Sequence, residues 1–404
     1  MGNRNSPRRW AAIGRCLERA LLNKCLRFLC LLALLSQGGG FNAAASDEET
    51  VVTFERMGGL PIVSVRTFSR TWKFVLDTGS AICAASPEFA LETAGTTNSD
   101  FKMGAIGLQG DPVAMNVVTC PYLKLGGKTF INVPVAVADL DMFRKGKSIQ
   151  IDGLLGFAPF RDVYLTLDYQ KSQLMLTPTN SPHQVHEPAL PYELYYGMPC
   201  IDLLLQGLPA RFVIDSGYEG SLGLTGADRN LDFKSPPRAT TLLASIAGVS
   251  TNYKARLSRP VALAGTEVVE PIVSGISQNA RSVGGELLEK FKVIFDPLRQ
   301  QVEMIPNQPG PIRQPSVRGV GLSFRKASDP AEPWTVDFMM DDVPEAVKVI
   351  QQGDRCLKIN GEPVSAWPWE RYSKYLKTAD VIHFTFVRGL KEFDVEARVY
   401  AVLP

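Results

Sequence analysis

Histidine is scarce in this chain, with three residues in 404: His183, His186 and His383. So few histidines leave little room for imidazole-based metal or nucleophile chemistry. His183 and His186 form H-x-x-H, but they lie in the proline-rich stretch TPTNSPHQVHEPALP (177–191). No helical pattern sets them on one face and no catalytic carboxylate stands nearby, as a zinc hydrolase motif requires. They read as solvent-exposed residues of a connector. His383, in VIHFTFV, reads as a packing or surface residue of a strand. Also missing are G-x-S-x-G, a Walker loop, and G-x-G-x-x-G between strand and helix, so none of these nucleophile or nucleotide motifs offers a rival reading.

Cysteine is sparse too. Cys16, Cys25 and Cys30 crowd the start, and Cys83, Cys120, Cys200 and Cys356 are scattered without a C-x-x-C. That spacing is neither a metal knuckle nor a disulfide framework, and buried free thiols are expected. An oxidising compartment would also permit a Cys83–Cys120 bridge, since spacing does not dictate connectivity. The formal net charge is only +2. Residues 1–45 hold seven Lys or Arg and one Glu, hence +6, so the remainder is −4 (+2 − 6). A remainder of that sign has no basic nucleic-acid surface.

The basic start has its own logic. Arg8, Arg9, Arg15, Arg19, Lys24 and Arg27 precede FLCLLALL (28–35), a glycine-rich stretch and Ala43-Ala44-Ala45. Positive segment, short apolar run and A-x-A together read as a secretory signal ending at Ala45. The apolar run is too short for a bilayer, which takes ~20 residues. The long basic segment leaves retention as an anchor, or a misplaced start, open beside cleavage. Export to the periplasm or the extracellular space is expected.

What the chain does have is an internal repeat. At an offset of 138, GLPIVSV (59–65) falls on GMPCIDL (197–203), KFVLDTG (73–79) on RFVIDSG (211–217), and KLGGK (124–128) on ALAGT (262–266). After a ten-residue deletion, GFAPFRDVYLTLDYQKSQLMLTP (156–178) aligns with GGELLEKFKVIFDPLRQQVEMIP (284–306). Each copy is a series of short, alternating, β-branched runs cut by Gly, Pro and Asn, with no long helical periodicity, so each reads as an all-β unit.

Within the repeat, FVLDTGS (74–80) meets FVIDSGY (212–218). A carboxylate behind three apolar residues is costly unless something uses or compensates it. Two carboxylates a few ångströms apart share one proton; the charged one acts as base toward water and the protonated one donates to a carbonyl oxygen. Such a pair needs Asp77 and Asp215 on tight turns facing each other. Gly79 and Gly217 suit the close approach, Thr78 and Ser216 suit hydrogen bonds across the junction, and Ser80 lies within reach of its own aspartate.

These motifs resemble the aspartic peptidases of the pepsin and retropepsin clan, over residues 50 to about 306. The marks are apolar-Asp-Thr/Ser-Gly in each copy and a later apolar-apolar-Gly element, Leu154-Leu155-Gly156 and the weaker Ser282-Val283-Gly284. The resemblance implies interlocked loops behind each aspartate, and catalytic roles for Asp77 and Asp215 supported by Thr78, Gly79, Ser80, Ser216 and Gly217. MGAIGLQGD (103–111), with Gly104, Gly107 and Gly110, resembles a retropepsin flap tip that closes over an extended substrate. Tyr218 departs from the pattern, since pepsin-like enzymes carry Ser or Thr there, and the second aspartate is expected to lose one donor.

Beyond a proline-rich spacer (307–316) the character changes. GDRCLKINGEPV (353–364) resembles a PDZ stretch, and GLSF (321–324) stands where PDZ domains carry the carboxylate-binding GLGF loop. The resemblance covers 317–402 and implies an anion nest with peptide-strand addition at Leu322, Ser323 and Phe324. A helix is expected in WPWERYSKYLKT and a strand pair in VIHFTFVRG and FDVEARVY.

The expected fold is mainly β: a leader (1–45), two retropepsin-like lobes (46–178 and 196–306) joined by a linker (179–195), the spacer, and a small α+β PDZ domain (317–404). The arrangement resembles bacterial aspartyl protease–PDZ proteins. The expected activity is aspartic endopeptidase with polypeptide substrates, peptide C-termini as partners at the PDZ groove, no nucleic acid, no metal or cofactor, and membrane contact only through a retained leader. A catalytically inactive, peptide-binding scaffold is the alternative.

Overall fold

The computed structural model describes residues 48–403 except 69, 106–112, 142, 144–149, 246–247, 327–328 and 330–331. The basic leader, Gly107 and Gly110 lie outside the described residues. No helix among the described residues is long and apolar enough to cross a membrane.

The chain is mainly β. The first repeat runs through β1 (Thr50–Thr53), β2 (Glu55–Met57), β3 (Leu60–Arg66), β4 (Thr71–Leu76), β5 (Cys83–Ala85), β6 (Lys102–Ala105), β7 (Val113–Leu125), β8 (Lys128–Val137), β9 (Gly153–Leu155), β10 (Val163–Asp168) and β11 (Gln173–Pro178). The second comprises β12 (Ala189–Pro191), β13 (Glu193–Tyr195), β14 (Met198–Leu205), β15 (Leu208–Asp215), β16 (Leu222–Thr225), β17 (Arg238–Ser245), β18 (Gly248–Arg256), β19 (Val261–Leu263), β20 (Thr266–Val269), β21 (Ile272–Gln278), β22 (Ser282–Gly284), β23 (Phe291–Asp296), β24 (Gln301–Pro306) and β25 (Ile312–Arg313). Each repeat builds an eight-stranded sheet, ordered β2-β3-β4-β9-β5-β8-β7-β6 and β13-β14-β15-β22-β16-β21-β18-β17. The strand orders correspond member for member, as the offset requires.

A six-stranded sheet, β1-β11-β10-β23-β24-β12, takes strands from both repeats. Its centre is the antiparallel pair β10–β23, with Leu165 opposite Phe295. The aspartates of the aligned tails have a local cause. Asp168 Oδ1 accepts from Lys171 N at 3.0 Å, and Asp296 Oδ1 from Leu298 N and Arg299 N at 2.9 and 3.0 Å, so each carboxylate satisfies the amides of the following turn. One continuous apolar core, including Phe74, Leu155, Leu165, Phe212, Val283 and Phe295, runs through both repeats. Short helices interrupt them: α1 (Pro87–Ala94) starts at an Ser86 cap whose side chain accepts from Phe89 N, and ends at Gly95 with φ +71°; α2 spans Gly285–Leu288.

The connector is less free than its composition implies. Its histidines are not simply solvent-exposed: both bond the fully buried Glu303 of β24, His183 being drawn in while His186 stays exposed as expected. His183 Nε2 lies 2.6 Å from Glu303 Oε1, and His186 Nδ1 lies 2.9 Å from Oε2. The spacer is likewise held in place. β25 adds to β20 in parallel, and the buried Arg256 donates to the carbonyls of Gln314 and Pro315 at 3.0 and 2.7 Å.

The C-terminal region has a second core around Phe324, Trp334, Phe384 and Phe386. It contains β26 (Val317–Gly319), β27 (Leu322–Arg325), β28 (Trp334–Met339), β29 (Arg355–Ile359), β30 (Glu362–Pro363), the expected helix α3 (Trp369–Thr378), the expected strand pair β31 (Val381–Arg388) and β32 (Lys391–Arg398), and β33 (Tyr400–Leu403). His383 is an exposed member of β31. All four described cysteines are free and buried, so Cys83 and Cys120 are not bridged.

Candidate active site

Apolar side chains on β4 and β15 anchor the two DTG/DSG turns from below. β4 ends beside the parallel strand β9 (Leu76 opposite Leu155), and β15 ends beside the parallel strand β22 (Asp215 opposite Gly284). Asp77 N donates to Leu155 O at 3.0 Å, and Phe157 N to Ser80 O at 2.8 Å. In the second repeat Gly284 N donates to Ser221 O at 2.7 Å and Gly285 N to Tyr218 O at 2.6 Å. A Cβ on Gly156 would sit 2.2 Å from Ile82 O, and one on Gly284 2.3 Å from Gly220 O. Backbone crossing at that distance is why both later elements end in glycine.

The turns interlock. Thr78 N donates to Ser216 Oγ and Ser216 N to Thr78 Oγ1, each at 3.0 Å. Thr78 Oγ1 donates on to Ile214 O at 2.7 Å, and Ser216 Oγ to Leu76 O at 2.8 Å. Both side chains are fully buried. Four bonds across the junction fix the two turns against each other, as the residue types promise. A Cβ on Gly79 would fall 2.2 Å from Asp215 Cγ, and one on Gly217 2.4 Å from Asp77 Cγ. Each glycine therefore marks where the opposite carboxyl group lies.

The two carboxyl groups share a hydrogen bond. Burial pushes Asp77 up to about 6, against the pull of its bond to Asp215 and the N–H groups of Gly79 and Ser80. Asp215 is raised further, first by burial, then by the Asp77 charge and the shared bond, and only partly relieved by Gly217 and Tyr218 N–H. Gly217 N donates to Asp215 Oδ1 at 2.9 Å. A pair so placed keeps one proton between two carboxyls near neutral pH. Asp77 is then the base-competent member and Asp215 the proton donor.

Ser80 serves its aspartate through the backbone; its hydroxyl donates to Ile82 O at 2.8 Å. Tyr218, the departure in the motif, points away from the carboxyls. Its buried hydroxyl bonds Ser274 Oγ and its ring packs over Gly220 and Gly284. Asp215 takes the N–H groups of Gly217 and Tyr218 as Asp77 takes those of Gly79 and Ser80, and since the Ser80 hydroxyl does not bond Asp77 either, the two aspartates keep like donor sets. Cys83 is near the site but burial pushes its thiol up to about 12, far from a thiolate nucleophile. Gly104 lies on β6, opposite Ala114 of β7. No group of metal ligands occurs among the described residues.

Two residues contribute that the sequence did not single out. Gln314, from the spacer, accepts from Ser221 Oγ at 3.2 Å and Ile272 N at 2.8 Å, so the spacer buttresses the loop behind Asp215. Ser274 holds Tyr218. A contact spanning 56 or 93 residues leaves no local mark; the offset alignment, which sets Ser274 against Ala136, was the one available signal.

At the C-terminal site, Phe324 is buried, with ring centroids 5.7 Å from Trp334 and 6.0 Å from Tyr372. Ser323 Oγ donates to Asp337 Oδ1 at 2.6 Å. Leu322 is half-buried at the start of β27, which has a strand partner only in β28 among the described residues.

Residues 63–158 match the family model described as aspartyl protease. The match takes in Asp77 and Leu154-Leu155-Gly156 and ends before the second aspartate, so the chain carries an aspartyl protease-like domain. No curated protein matches the chain.

Proposed function

We propose that this protein is an aspartic endopeptidase in which Asp77 and Asp215 jointly activate water. The observation that carries the reading is the pairing of the half-buried Asp77 and the buried Asp215, one from each repeat, each carboxyl lying against the other turn's glycine and the two sharing a hydrogen bond. Asp77, as carboxylate, takes a proton from water; Asp215, as acid, donates to the carbonyl oxygen under attack; the tetrahedral intermediate then collapses with proton delivery to the leaving amine. No covalent acyl-enzyme forms. The repeats act as two lobes, and a polypeptide substrate lies extended between them beneath the β6–β7 hairpin.

Residues 317–404 act as a PDZ domain that docks substrate or partner C-termini. Support comes from the place of β27 at the end of its sheet, where β28 is its strand partner among the described residues, and from Gly321, whose φ of +79° opens the loop before that strand. Export through the leader places the activity in the periplasm or outside the cell.

An unstructured protein such as casein, incubated with the purified chain, is expected to yield discrete fragments, and a peptide mimic bearing a tetrahedral hydroxyl is expected to inhibit. Peptide binding without turnover, indifferent to that mimic, would instead mark a binding scaffold.

A further inference from the structure

The hairpin β17–β18 is the second repeat's counterpart of β6–β7, since the two sheet orders correspond member for member. The turns of the two repeats bond each other reciprocally, so β17–β18 takes on the second-repeat side the place that β6–β7 takes on the first. Polar bonds join this hairpin to the sheet behind Asp215. Thr240 Oγ1 of β17 donates to Asn252 O of β18 at 3.2 Å, and Asn252 Oδ1 accepts from Gly275 N of β21 at 3.1 Å. Gly275 adjoins Ser274, which holds Tyr218 at the turn that carries Asp215. Thr240 and Asn252 are buried, so these bonds are costly to break.

The same hairpin is held by the C-terminal region. β17 packs against β27 and β28, and β18 against β33. Arg238, two residues before Thr240, donates to Val402 O at 3.1 Å and pairs with Asp342. Both partners adjoin the walls of the turn before β27, where a peptide carboxylate is proposed to bind. A Cβ on Gly321 would stand 2.6 Å from Val343 Cγ1 and 2.8 Å from the Tyr400 hydroxyl, so these two side chains close on that turn. Val343 follows Asp342, and Tyr400 stands two residues before Val402 on the same face of β33. Burial raises the Tyr400 hydroxyl, and the nearby Arg238 charge acts against that rise. One guanidinium therefore ties both walls of the turn to the base of the hairpin.

We infer that the C-terminal region regulates substrate binding at the aspartate pair: a polypeptide C-terminus held at Gly321–Phe324 tightens the grip on an extended substrate, with Arg238 as the positioning residue that joins the two sites. Filling the turn fixes Val343 and Tyr400, and through Asp342 and Val402 it fixes Arg238 and β17. The hairpin is then ordered before substrate arrives, so substrate binding meets a smaller entropy cost. Such coupling is reciprocal, and substrate tightens the C-terminal peptide by the same factor. The effect falls on KM and leaves kcat alone, because the hairpin borders the substrate and not the reacting atoms. This inference rests on the endopeptidase and peptide-docking readings.

The test adds a pool of peptides randomised over their last residues, with C-termini either free or amidated, to the full chain. Three quantities are read: pool binding, kcat and KM for casein, and amide hydrogen exchange across β17–β18. The free-acid pool is expected to bind, to lower KM about fivefold with kcat unchanged, and to slow exchange in the hairpin. The amidated pool should do none of these. Arg238→Ala should still bind the free-acid pool but lose the KM shift and the slowed exchange. Asp342→Asn changes only an exposed carboxylate, a safeguard against misfolding, and should weaken both effects. Binding that leaves KM and exchange unmoved in the parent, or moves them equally in Arg238→Ala, would overturn the inference and leave both readings standing. A free-acid pool that does not bind overturns the docking reading with it. A parent that cuts nothing overturns the inference together with the endopeptidase reading.

Discussion

Asp77 must be ionised to act as base and Asp215 protonated to act as acid, and both are raised by burial. The rate should therefore fall about tenfold per pH unit as pH drops below about 6, where Asp77 takes up its proton. An acid limb near 4, the ordinary carboxylate range, would show that Asp77 is not held as described. Stability runs the other way. Raised carboxyl pKa values mean the fold binds more protons than the unfolded chain above pH ~4, so stability declines as pH rises through the shifted values. Asp77→Asn should thus be more stable than the parent above pH 7 in a denaturant titration, because it no longer has to ionise a carboxyl that burial favours protonated. Thr78→Ala should lose about 2–4 kcal/mol by stranding Ser216 N–H and Ile214 O in a dry junction, while Thr78→Ser recovers most of it. At this scale the sequence was legible where function is repeated. Asp, Thr or Ser, and Gly recur in register because both turns need them. The orientation of Ser80 and Tyr218 was not legible, since it depends on Ile82 O and on Ser274, which no spacing announces.

Among elements, the strands read well because alternation and turn residues are local signals. The two proline-rich segments read poorly. Composition marks them as linkers, yet Glu303 captures one through two histidines and Arg256 captures the other through carbonyls. A fully buried carboxylate and a buried guanidinium need partners, and the connecting segments supply them. His183→Ala should lower stability by about 1–3 kcal/mol in urea unfolding by leaving one Glu303 oxygen unpartnered. Unchanged stability would mean that solvent satisfies this carboxylate and the connector is loosely held. The mixed six-stranded sheet was also unforeseen, because pairing between β10 and β23 joins segments more than a hundred residues apart.

For the whole molecule, the C-terminal region does more than hang from a tether. Arg238 of β17 donates to Val402 O at 3.1 Å and pairs with Asp342. Gln314 braces the loop behind Asp215. A chain truncated after Ser316 keeps the brace and should keep its catalytic rate on short peptides. One truncated after Gly310 loses β25 and Gln314 and should lose more than tenfold, with a lower melting temperature.

The joint action of the two aspartates is tested most directly by single-turnover peptide hydrolysis with Asp77→Asn and Asp215→Asn at the parent's optimal pH. Either substitution is expected to abolish cleavage, by at least about a thousandfold, while the folded structure persists. Turnover within tenfold of the parent in either variant would contradict a shared-proton pair.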